Sequence, residues 1–184
     1  VSLIARDPTY RAKLTTEETV ILTPTEMLCA SQYGCLRQLQ NIKNGARPRY
    51  GAGEEGAWEV HILGCMAEMA VAKYLNLFWA AAVGDYEALD VGGLVQVRSR
   101  MGGGEGPKVD LILHPKDGDD HPFVLVYSKP PEFRLAGWIM GSEGKRTDLW
   151  GDPAGTGRHA FFVPPGMLKD MASLRAWVAL RRAA

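Results

Sequence analysis

Apolar positions along the chain recur with a helical period in its first half and with a period of two after Gly84. Thr23-Pro24-Thr25-Glu26 reads as a helix start: Thr23 can cap, Pro24 suits the first turn, and Glu26 completes a capping box. This helix is predicted to run to about Lys43 and to stop at Asn44-Gly45. A second, long helix is predicted from about Glu55 to Phe78. Beyond it, residues around Ala88–Val91 and Leu94–Arg100 form a predicted hairpin about Gly92-Gly93. Strands are predicted at Val109–His114, Phe123–Tyr127, Phe133–Met140 and His159–Val163, and a closing helix at Leu168–Arg182. Phe123-Val-Leu-Val-Tyr127 is apolar on both parities, which predicts a central strand covered on both faces. The polar, glycine-rich stretch Gly141–Pro153 has room for a short helix. The order predicts an α+β fold, with helices flanking a mixed central sheet. Residues 1–50 read as a helical lead-in, and residues 51–184 as an α/β core with a C-terminal helix.

Charge changes this picture little in total and more in its distribution. The 21 basic and 21 acidic side chains cancel, which argues against a general polyanion-coating protein. Residues 51–90, however, hold seven acidic side chains and one basic one, between two mildly basic segments. Such a middle is either a solvated surface or a place for divalent cations. Cys29, Cys35 and Cys65 are odd in number and lack CxxC spacing, so buried free thiols in a reducing compartment are expected. The opening VSLIARDP has no apolar run of leader length, and a start at Val1 suggests a processed or tagged chain. The longest apolar run, Leu77–Val83, is far below the roughly 20 residues of a membrane span. A cytoplasmic protein with no membrane partner is expected.

Glu68 sits on the long helix in Gly64-Cys-Met-Ala-Glu-Met-Ala-Val-Ala-Lys-Tyr-Leu75. Its neighbours three and four positions away, Gly64, Cys65, Val71 and Ala72, are small or apolar. A carboxylate at the edge of a buried stripe needs a partner. That partner is an arginine, a strand end, or a cation served by a metal-binding or catalytic carboxylate.

Gln96, Arg98 and Arg100 share one face of their strand, opposite Val95 and Val97, with Asp90 just before the glycine turn. Alternation alone describes a solvated strand face. Together with Glu68 and Asp90, it resembles the PD-(D/E)XK nuclease superfamily: a helix glutamate, then an aspartate, then an acid-x-lysine triplet on a neighbouring strand. The resemblance spans about Ala57–Tyr127 and implies a restriction-endonuclease-like core. It also implies Mg2+ or Mn2+ held by Glu68 and Asp90, with Gln96 and Arg98 completing the catalytic set. The ion would polarise a phosphate and lower the pKa of a bound water. The chain is likewise similar to small accessory proteins of bacteriophages. Three departures weaken the match. Leu89 stands where proline often precedes the aspartate. Gln96 replaces the acid of the triplet. Arg98 replaces its lysine and, always protonated, is a poor proton acceptor. Lys108 and Asp110 share a strand face and can replace the missing lysine and acid if that strand lies beside Leu94–Arg100.

Two functions follow from the resemblance: metal-dependent hydrolysis of DNA, or a catalytically inactive nuclease-fold module that binds nucleic acid or a protein partner. Arg47, Arg49, Arg100, Lys145, Arg146 and Arg158 are the candidate nucleic-acid contacts, and Trp150 a candidate stacking surface for a base. The four histidines are scattered without HxH or HExxH spacing, and Asp117, Asp119 and Asp120 read as a strand turn rather than a calcium loop.

Overall fold

The computed structural model describes residues 18–45, 56–84, 88–101, 109–153, 155 and 157–183. Its main sheet has four strands, β1 (Glu18–Ile21), β2 (Gln96–Met101), β4 (Pro122–Lys129) and β5 (Glu132–Met140), in the order β1-β5-β4-β2. β2 runs parallel to β4, while β4–β5 and β5–β1 are antiparallel, so the sheet is mixed. A smaller antiparallel sheet joins β3 (Leu111–Leu113), β7 (Ala160–Val163) and β6 (Trp150–Gly151), in the order β3-β7-β6. The helices are α1 (Pro24–Lys43), α2 (Ala57–Leu75), the single turn α3 (Gly141–Gly144) and α4 (Met171–Ala183). This is the α+β architecture expected.

The two faces of β4 organise the core, because its apolar residues of both parities are buried. Val124 and Val126 pack with Cys65, Ala67 and Val71 of α2, and with Met171, Leu174 and Val178 of α4. Phe123, Leu125 and Tyr127 face the other way, onto Leu111, Leu113 and Val163 of the small sheet. The fold is therefore three layers: helices, mixed sheet, small sheet.

Local chemistry sets the helix ends. Thr23 Oγ1 accepts from Glu26 N–H at 3.2 Å, and Glu26 Oε2 accepts from Thr23 N–H at 2.7 Å, a complete capping box. Lys73 Nζ then donates to Glu26 Oε2 at 2.8 Å and to the Ile21 carbonyl at 3.0 Å, fastening the end of α2 to the start of α1. Where α1 crosses α2, Gly34 brings the two backbones together: a Cβ there would lie 2.5 Å from Ile62 Cα.

The hairpin predicted around Gly92-Gly93 is reduced to a single bridge. Val91 and Val95 exchange backbone hydrogen bonds at 3.1 Å across two left-handed glycines, and β2 starts only at Gln96. Val91 also bridges Trp79. Asp90 thus lies in a turn rather than on a strand. β3 pairs with β7 and, among the described residues, not with β2; Asp110 precedes this strand, and Lys108 lies outside the described residues. β1 and β6, for which no strand was expected, edge the two sheets.

Candidate functional site

Glu68 is buried on the sheet-facing side of α2. Arg37, projecting from α1, clamps it with both ends of its guanidinium: Nη1 to Oε1 at 2.5 Å and Nη2 to Oε2 at 2.8 Å. The Trp79 indole N–H adds a third bond, to Oε2, at 3.0 Å. The remaining Arg37 donor, Nε, goes to the Ala82 carbonyl at 2.9 Å. The partner Glu68 requires is therefore an arginine. Arg37 is the single charged residue of α1 between Glu26 and Lys43, a hint of an inward role that does not by itself name Glu68 as its partner.

Asp90 is brought to the same side of the sheet. Its Oδ2 accepts from the Val97 backbone N–H at 2.7 Å. Burial first, and the negative charge of Glu68 second, push its pKa up to about 7, against the pull of the Val97 N–H and of Arg98 and Arg37. The folded state holds this proton more tightly than the unfolded chain does. The associated stability is present below the ordinary carboxylate range and is lost as pH rises through about 7. Asp90→Asn keeps an acceptor for Val97 and removes the titration. Urea unfolding of the variant should then show a flatter stability profile between about pH 4 and pH 7 than the parent does. Parallel profiles for the two proteins would mean that Asp90 is not the group responsible.

The rest of the expected catalytic set does not converge on this pair. Val97 belongs to the helix-side core, so alternation turns Gln96, Arg98 and Arg100 toward the small sheet. Arg98 lies over the Phe123 ring at 5.2 Å on that opposite face and pairs with Asp117 at 2.9 Å. Gln96 Nε2 donates to the Ala88 carbonyl at 3.3 Å. Asp110 lies near enough to Arg100 to favour its positive charge. Lys108, Arg47 and Arg49 lie outside the described residues.

This donor set does not fit a divalent cation. Both oxygens of Glu68 are engaged by N–H donors, with a fixed positive charge in the place an ion would take. Among the described residues, no three His, Cys, Asp or Glu side chains are grouped to hold a metal. Cys65 also sits within reach of Glu68, where burial and that carboxylate push its thiol up to about 12, so it is no thiolate. His61 is held below its usual range by burial and by the Arg37 charge, and its Nε2 lies 2.9 Å from Asn41 Nδ2.

The opposite face carries a cationic cluster. Arg98 and Arg100 alternate on β2, and Lys116 and His114 stand close enough for their charges to interact. Arg100 Nε is buried and has no hydrogen-bond partner among the described residues. Burial, and then the charge of Arg98, depress its pKa. Asp117 links this cluster to the next loop: it takes Arg98 on its carboxylate, while Lys145 Nζ donates to its backbone carbonyl. Arg146 pairs with Asp148 at 2.7 Å. Trp150 is stacked on His159 with centroids 5.7 Å apart and leans on Phe161 at 4.8 Å. Arg158 is exposed beside them in sequence.

No family model, no curated protein and no solved structure matches the chain. Among the described residues no helix is long and apolar enough to cross a membrane.

Proposed function

We propose that the chain is a restriction-endonuclease-like module that binds nucleic acid without cleaving it. The observation that carries this reading is the split of the motif residues across the sheet. The two carboxylates face the helices and are consumed by Arg37, Trp79 and the Val97 amide. The arginines face the other way and include one whose guanidinium is incompletely satisfied. Arg98 and Arg100 are held side by side at an electrostatic cost, which an anion bound between them would repay. Phosphodiester oxygens are the anion that suits planar, multidentate guanidinium donors. The order of Glu68, Asp90 and the Gln96-Val97-Arg98 triplet supports descent from a nuclease-type site, in which Arg37 now occupies the position of the cation.

The test is fluorescence anisotropy with labelled single-stranded and duplex DNA at two salt concentrations, without and with Mg2+ or Mn2+. Wild type should bind in a salt-dependent way and leave the DNA intact with either metal. Arg100→Gln, which breaks no described ion pair, should weaken binding several-fold and reduce the salt slope by about one. Cleavage of the DNA in the presence of either ion overturns the non-catalytic reading. Absence of binding to both DNA forms overturns the nucleic-acid reading.

A further inference from the structure

The loop that follows β3 brings a histidine to the arginines of β2. His114 comes directly after Leu113, the last residue of β3. Its backbone N–H donates at 2.8 Å to Asp117 Oδ2, the same oxygen that accepts from Arg98 Nη2 at 2.9 Å. One carboxylate oxygen thus ties the histidine backbone to the Arg98 guanidinium. Among the described residues, the charged groups that act on the half-buried imidazole are Asp117 and Lys116 from its own loop, and Arg98 and Arg100 from β2. Three of these are cations, and the single acid is already paired with Arg98. Burial holds the ring below the usual histidine range. Asp117 pulls the other way, and Arg98, Lys116 and Arg100 reinforce the burial. The imidazole is therefore mostly neutral at about pH 7.

Given the nucleic-acid reading, on which this rests, we propose that His114 belongs to the same phosphate site as Arg98 and Arg100, and that it takes up a proton when nucleic acid docks there. A phosphodiester beside the two arginines brings a negative charge among the three cations that surround the imidazole. It cancels the repulsion that keeps the ring neutral, and it offers the imidazolium an oxygen as hydrogen-bond acceptor. Arg100, whose Nε has no hydrogen-bond partner among the described residues, is the unsatisfied guanidinium of the site. The complex therefore holds the His114 proton more tightly than the free protein does. By reciprocity the proton favours the anion. Affinity is highest below the pH at which the free protein titrates, and it falls as pH rises through the titration of the complex. Each pKa unit by which docking raises the ring is about tenfold in affinity.

Fluorescence anisotropy at constant ionic strength, from about pH 5.5 to about pH 8, tests it on the full chain. The probes are labelled oligothymidylate and an A·T duplex, neither of which titrates in that window. Wild type should bind roughly tenfold more tightly at the acid end than at the alkaline end. Calorimetry in two buffers of different ionisation enthalpy should show net proton uptake on binding. His114→Gln, with a circular dichroism spectrum like that of wild type, should lose most of this pH dependence. In wild type itself, the His114 ring signals followed by NMR should titrate at higher pH with DNA bound than without, a readout that needs no variant. Asp90 titrates in the same window, at about 7, but beside Glu68 on the helix side of the sheet. DNA binding that is independent of pH, a pH dependence that persists in His114→Gln, or a His114 titration that DNA leaves unmoved overturns the proposal, while the nucleic-acid reading stands. Absence of binding to both probes across the whole window overturns that reading and the proposal together.

Discussion

Arg37→Ala is expected to lower the unfolding free energy by about 3–5 kcal/mol, the largest effect of any single change to the charged residues. The loss exceeds the net worth of the ion pair. Taking the guanidinium away leaves the Glu68 carboxylate buried, with the Trp79 N–H as its one described partner, and frees the Ala82 carbonyl as well. Glu68→Leu in the wild-type background should also be costly, since it strands Arg37. The combined Arg37→Met and Glu68→Leu variant should recover much of the stability, because an apolar pair of similar volume avoids the desolvation of two ions. Recovery should stop short of wild type by about 1 kcal/mol for the orphaned Trp79 N–H. Urea denaturation followed by circular dichroism measures all four corners of this cycle. If Arg37→Ala were neutral, Glu68 would have to find water or another donor, and the clamp would not be structural.

Gly34→Ala is the second, and here two physical terms compete in sign. In an ordinary helix interior the change stabilises by roughly 0.5–1 kcal/mol, because glycine gives up more backbone freedom on folding. At this position the added carbon would meet Ile62 Cα at 2.5 Å and Ile62 N at 2.8 Å, and neither atom can rotate away. The helices must separate, which also stretches the Arg37–Glu68 bonds and the 2.9 Å contact of Asn41 with His61. Overpacking of this kind costs about 1–3 kcal/mol or more, so a net loss of about 2 kcal/mol is expected. Thermal unfolding of the variant checks the sign. A higher Tm would mean that α1 and α2 do not cross as closely as described.

The elements with strong local signals were legible in the sequence. The capping box at Thr23 and Glu26, the apolar run Phe123–Tyr127 and the period of α2 are short-range patterns, and each has its counterpart in the structure. Glu68 was legible as a carboxylate in need of a partner. Which partner it had was not, because Arg37 is 31 residues away and meets it through a helix crossing that no local pattern encodes. The sidedness of Arg98 was hidden for a related reason. Alternation along β2 separates Val97 from Arg98, but only the packing of β4 decides which of those faces meets α2. β1, with four residues, and β6, with two, were too short for a period of two to be read.

The Asp90–Val97 hydrogen bond has a consequence for the sheet as a whole. β2 is an outermost strand of the described sheet, with β4 on one side, and the backbone groups of such a flank are ones that an extended peptide can pair with. The Val97 amide is one of those groups, and the Asp90 carboxylate occupies it. That side chain therefore acts as a stopper: an incoming strand from a neighbouring molecule would find the docking register blocked at Val97. Asp90 thus occupies one of the donors through which a strand from another molecule would have to pair.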